Sequence, residues 1–203
     1  MPGYPSGVTQ RPVPDERRPP NQGPKAAARN RAALVAAARE VYAEHGLDAP
    51  LFAIARRAGV GQGVLYRHFP DRAALSAAVL EENVCQVEEA AAADGARLAG
   101  VLGVLTWHMA ESAAFIGLMH ADGTSNGSET RPYALALSER VERALRGHLP
   151  AGHRLETADD LMLAVAMVSG AATGPGHEER ERRVLAAWRL LGVEVGPVRP
   201  YEG

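Results

Sequence analysis

Four features of this 203-residue chain have residue types and spacing that could do chemistry. The run Gly123-Thr124-Ser125-Asn126-Gly127 spells G-x-S-x-G, with Asp159 and His177 following in the order of a hydrolase triad. Acyl transfer through Ser125 would need a strand before the serine and a parallel sheet to expose it. No strand pattern precedes it, so the run reads as an interhelical loop, with a serine hydrolase as the alternative from the enzyme class. His108 and Glu111 share a helix face at i, i+3, two metal-ligand types without a third, so no metal and no cofactor are assigned. Cys85 lies in the middle of an amphipathic helix and reads as a packed, inert thiol. The fourth feature is charge. Residues 25–72 carry eight basic groups against four acids, net +4, while residues 73–203 are net -7 and the first 24 residues net +1. A basic module before an acidic body points to a polyanion partner, with the body repelled so that one docking orientation is favoured.

The elements that must position these residues are helical. From Asn30 to His45, Leu34, Val35, Ala38, Val41 and Tyr42 recur at three-to-four spacing, with Arg31, Arg39, Glu40 and Glu44 on the other face. Gly46 closes that helix. Pro50 opens a short one with Leu51, Ile54, Ala55 and Ala58 as its apolar set, and Phe52 on it is expected to pack against the first helix. After Gly59-Val60-Gly61, Gln62 to His68 form another short helix with Leu65 inward and Phe69 at its end. Helix, glycine turn and helix of these lengths make a helix-turn-helix, with Val60 filling the angle. Pro70 stops it, and Asp71 caps a fourth helix from about Arg72 to Ala93. Residues 98–119, 131–149, 157–172 and 178–191 read as further helices between Gly-, Pro- or Ser-rich breaks. The expected fold class is all-α.

Half of the 14 prolines fall in the first 25 residues, where Met1, Tyr4, Val8 and Val13 are the only apolar side chains. Residues 1–25 therefore read as a disordered arm. The single cysteine excludes an internal disulfide and suits a reducing cytoplasm. The longest apolar run, Leu161 to Val168, is far short of the roughly 20 residues that span a bilayer. Neither membrane nor export is indicated, and a cytoplasmic location is expected.

The stretch Ala33 to Leu75, ALVAAAREVYAEHGLDAPLFAIARRAGVGQGVLYRHFPDRAAL, resembles the DNA-binding domain of TetR-type transcriptional regulators. The resemblance rests on Ile54-Ala55, Ala58-Gly59-Val60 and Gly63-Val64-Leu65-Tyr66-Arg67-His68-Phe69-Pro70. It implies an all-α homodimer with an N-terminal three-helix DNA-binding domain and a C-terminal domain that pairs subunits and often holds a small ligand. It places Gln62, Gly63, Val64 and Arg67 on the recognition helix, facing base edges. Tyr66 and His68 match positions that grip phosphates, Arg72 matches the basic residue after the helix, and Arg56 lies on the helix that crosses the backbone. Phosphate contacts fix register, whereas base contacts read sequence. The chain departs from the family at Ala49-Pro50, Gly61 and Val64, where Ser or Thr is common. Two hydroxyl donors are thereby missing, and Val64 would instead touch a thymine methyl.

Beyond this module, the helix through Leu161 to Val168 is apolar almost all round, which implies burial on two sides. Leu161, Val165 and Val168, with Val184, Leu185 and Trp188 on the last helix, are expected at a four-helix interface between two copies; a single monomer core is the other reading. Trp107, His108, Phe115, Met119 and Tyr133 are the bulky and semi-polar side chains expected to line a pocket for a small apolar or amphipathic effector. The expected organisation is an arm over 1–25, a helix-turn-helix domain over 26–72, a dimerisation and effector domain over 73–195 and a tail over 196–203. The expected function is a sequence-specific, non-enzymatic DNA-binding regulator, a repressor released from a double-stranded operator by its effector. A dimeric DNA binder that answers to no ligand is the second reading.

Overall fold

The computed structural model describes residues 23–111, 131–153, 155 and 157–202. Along them run α1 Pro24–His45, α2 Leu51–Arg57, α3 Gln62–His68, α4 Arg72–Ala92, α5 Leu98–Glu111, α6 Arg131–Arg146, α7 Ala158–Ser169 and α8 His177–Leu190. No strand occurs among the described residues, and the chain is all-α. Pro24 needs no N–H partner in a first turn, so α1 begins at Pro24, within the span assigned to the arm. Residues 1–22 of that arm, the G-x-S-x-G run with Ser125, and Phe115 and Met119 lie outside the described residues.

Helix ends follow local chemistry. The Asp71 carboxylate accepts from the Ala74 N–H at 2.8 Å and starts α4. Thr157 and Asp160 form a reciprocal capping box that starts α7. After α2, Gly59 takes φ +68°, its N–H donates to the Arg56 carbonyl at 3.1 Å, and the Val60 N–H donates to the Ala55 carbonyl at 3.0 Å. These paired bonds need a residue at positive φ, which glycine supplies without a Cβ clash. The turn between α2 and α3 is thereby set by one glycine, with Val60 packed beneath it.

Two hydrophobic clusters form. The first gathers Leu34, Ala38, Val41, Tyr42, Ile54, Leu65, Phe69, Leu75 and Val79 from α1 to α4. The second gathers residues of α4 to α8, including Val84, Val87, Leu105, Met109, Leu137, Val141 and Trp188. Helix α4 serves both, and Asn83 sits at the changeover, wholly buried with neither amide atom hydrogen-bonded among the described residues. In the second cluster the Trp188 indole N–H donates to Thr106 Oγ1 at 3.0 Å, which ties α8 to α5 through the core.

The interface stripe expected on α7 and α8 is corrected here. Leu161, Val165, Val168, Val184 and Trp188 are wholly buried within one subunit, because this stripe is the one the subunit turns inward to build its own second cluster. The outward apolar residues are Leu163 and Met167, 62% and 58% exposed, and Leu190, 84% exposed. Leu185 is half-buried between the two faces.

The segment after α8 packs against α5. Val193 is buried, and Val195 and Tyr201 pack on the second cluster. The Gly196 N–H donates to the Ala99 carbonyl at 2.7 Å. Gly103 lets the backbone of Pro197 come so close that a Cβ there would run into the Pro197 carbonyl oxygen. No helix among the described residues is long and apolar enough to cross a membrane.

Candidate nucleic-acid interface

Leu65 and Phe69, both buried, pin α3 to the first cluster. With those two inward, helical phase turns Gln62, Gly63, Tyr66 and Arg67 outward, and Tyr66 is 51% exposed. Val64 and His68 lie half-buried on the flanks of that stripe. The Arg67 Nε–H donates to the Gly63 carbonyl one turn back, at 3.2 Å, which lays the side chain along the helix. The structure thus places these six residues on one short helix.

The arginines around α3 divide by their partners. Arg57 donates to Glu40 and Glu44 of α1, with its two closest contacts at 2.8 Å, and so clasps α2 to α1. The hydrogen bonds that Arg57 donates to Glu44 and Glu40 hold its pKa above the ordinary value, and the bond that Glu44 accepts from Arg57 holds its carboxyl below the usual carboxylate range. Arg56 is exposed like Arg57 but stands outside this clasp. The i, i+4 pair of glutamates on α1 was the sequence signal that could have told the two arginines apart.

The structure places Arg72 at a turn and corrects the expectation for Phe52. Arg72 Nη1 donates to the Leu47 carbonyl at 2.6 Å and the Ala49 carbonyl at 2.5 Å. Through Nη1 it holds the turn that enters α2, where two carbonyls at the end of a short loop would otherwise lack donors. Phe52 does not pack against α1: with Ile54 and Ala55 inward, helical phase puts it on the outer face with Arg56, and it is 54% exposed. A contact that sequence reasoning missed is Arg31, whose guanidinium carbon stands 5.4 Å from the Phe69 ring centroid. No sequence spacing signals it, since it forms only when α1 and α3 cross.

Of the residues expected around an effector, Trp107 and His108 adjoin, their rings edge to face with centroids 4.9 Å apart. His108 is wholly buried, and burial, helped by the charge of Arg39, pushes its pKa down to about 3. It is a neutral core imidazole rather than a surface lining a pocket. Tyr133 is engaged elsewhere, its hydroxyl 3.1 Å from both the Ala77 carbonyl and Glu81 Oε2 on α4. Burial and the Glu81 charge push it up to about 12. Beside it Arg140 reaches Glu81 at 2.5 Å and Glu88 at 2.6 Å, which holds both carboxyls below the usual range. Cys85 lies in this same clasp between α4 and α6, and burial raises its pKa.

Of the hydrolase alternative, Asp159 and His177 are described and Ser125 lies outside the described residues. His177 Nε2 meets Glu181 at 3.0 Å, and its Nδ1 lies 2.6 Å from Glu111, so a glutamate stands beside each ring nitrogen. Asp159 is exposed in the first turn of α7.

Residues 34–79 match the model of the bacterial regulatory proteins of the tetR family. Among solved structures, a TetR transcriptional regulator from Streptomyces coelicolor is similar at TM-score 0.50 and 26% identity, over 81% of this chain and 98% of that one. A TetR transcription regulatory protein from Mycobacterium vanbaalenii is 29% identical over 84% of this chain and 98% of its own, with a TM-score of 0.45. No curated protein matches the chain. Its glycine-turned helix pair with an outward α3, and the family match that covers it, make residues 34–79 a DNA-binding domain of the tetR family of bacterial regulatory proteins, followed by an all-helical body.

Proposed function

We propose that the chain represses transcription as a homodimer on double-stranded operator DNA and is released by a small apolar or amphipathic effector, without enzymatic activity. The observation that carries this reading is the outward stripe Gln62, Gly63, Tyr66 and Arg67 on an α3 pinned by Leu65 and Phe69. Gln62, Gly63, Val64 and Arg67 read base edges, with Val64 against a thymine methyl. Tyr66, His68 and Arg56 grip phosphates, and Arg72 contributes by ordering the turn into α2.

A recognition helix of seven residues reads few bases, and a two-fold partner doubles the site. Leu163, Met167 and Leu190, with Leu185 at the edge, supply the apolar face for that partner. The effector acts beside α5 at Trp107, with Phe115 and Met119 as apolar partners. To release DNA it must bind better to a form whose two α3 helices are off the roughly 34–36 Å spacing of successive major grooves.

Selection of bound duplexes from random sequence tests the reading. A near-palindromic site should emerge, with affinity that falls steeply as salt rises. Tyr66→Ala should weaken binding to every duplex, and Arg67→Ala should change preference at particular bases. Wild-type affinity of Tyr66→Ala for all duplexes would overturn this docking.

A further inference from the structure

Arg39 stands on α1 among residues of the first cluster, Ala37, Ala38 and Val41, yet its guanidinium leaves that cluster. Its carbon lies 5.7 Å from the centroid of the Trp107 indole on α5, a helix of the second cluster. The guanidinium is half out of water, and its Nε has no hydrogen-bond partner among the described residues. Burial lowers the Arg39 pKa, against which Glu82 on α4, Glu111 on α5 and Glu40 on α1 act. An aromatic face suits such a group, because arginine is weakly hydrated and its charge is attracted by the ring quadrupole.

Trp107 is itself held. His108 packs edge-on against it, Thr106 before it binds the Trp188 indole, and Glu111 one turn on meets His177 of α8. The end of α5 is thus fastened to α8 at two points, through Thr106 and Glu111. The module and the body are joined through α4, which both clusters share, and α1 meets α5 as well as α4. A single shared helix leaves rotation about its axis open, and a second contact off that axis closes it.

We propose that Arg39, seated on Trp107, is a positioning residue that sets the angle at which the body presents α3 and carries displacements of α5 to the DNA-binding module. The proposal rests on the reading of the chain as a DNA-binding regulator. A cation–π contact has the strength this task needs, since breaking it shifts an equilibrium by about tenfold rather than unfolding a domain.

The test uses the full chain labelled with fluorotryptophan. Its two tryptophans, Trp107 and Trp188, give two fluorine resonances, assigned with Trp107→Phe. Adding the duplex selected from random sequence should move the Trp107 resonance and leave that of Trp188 in place. Arg39→Met, which keeps the stem and removes the charge, should abolish that movement and weaken duplex binding about tenfold, with the helical circular dichroism at room temperature unchanged. Arg39→Lys should recover most of both. Equal duplex affinity in Arg39→Met and wild type, or an equal movement of Trp107, would overturn the proposal. If the wild type binds no duplex, the DNA-binding reading fails, and calorimetry of the free protein decides on Arg39. Arg39→Met should then split the module's melting from that of the body, and one unchanged transition in both proteins would refute the coupling.

Discussion

At His108 burial decides protonation, and this has a consequence for acid stability. The folded imidazole has its pKa pushed down from 6.5 to about 3 by burial and by Arg39. Between those values the unfolded chain binds a proton that the folded chain does not. Stability is therefore intact above pH 6.5 and falls as pH drops below it, by up to about 1.4 kcal/mol per unit. His108→Leu should flatten this limb. Urea unfolding at pH 7 and pH 5 should show a loss for the wild type that is greater by about 1–2 kcal/mol than for the variant; equal losses would mean that His108 charges without cost. The sequence singled out His108 by its residue type, as a semi-polar lining for a pocket, but residue type and helical phase do not give depth.

Among the helices, the places where two elements meet carry the next predictions. Asn83 lies where α4 passes from one cluster to the other, its amide unpaired among the described residues. Asn83→Leu should stabilise by about 1–3 kcal/mol, since a buried polar group without a partner costs that much, and calorimetry should record a raised Tm. A lowered Tm would show that the amide has a role in the folded chain. The segment after α8 depends on Gly103 of α5, where the Pro197 carbonyl leaves no room for a Cβ. Gly103→Val should displace this strap and cost about 1–3 kcal/mol, with amide exchange rising at Gly196, whose N–H would lose the Ala99 carbonyl. Protection at Gly196 equal to wild type would refute this account. The helix boundaries themselves were legible because Gly46, Gly59, Pro70 and Asp71 act within one turn of where they stand. The strap was not legible, because its partner Ala99 lies about a hundred residues away.

For the whole molecule, the two faces of α7 make opposite predictions. Val165→Arg would bury an unpaired charge in the second cluster, a loss of several kcal/mol that should unfold the subunit. Leu163→Glu with Met167→Glu changes two exposed side chains and should leave helical circular dichroism intact while the protein sediments as a monomer and loses affinity for a palindromic duplex. If the double variant sediments with the wild type as a dimer, the pairing face lies elsewhere. Sequence reading expected α7 to be apolar on two sides, and it is. Which stripe faces which partner was not readable, because an all-round apolar helix has no moment to orient it.

What the sequence determined by itself was whatever a few neighbouring residues decide. The all-α class follows from apolar spacing, the turn between α2 and α3 from Gly59, and the outward stripe of α3 from the phase that Leu65 sets. Tertiary structure alone decided which charges remain open. Arg56 and Arg57 are neighbours, yet only Arg57 meets Glu40 and Glu44, and Arg72 is drawn to the turn at Leu47 and Ala49. It alone brought Arg39 over Trp107 and turned Trp188 into the core of its own subunit. The physical reason is that propensity and capping act over one helical turn, whereas desolvation and ion pairing depend on what a distant segment brings into contact.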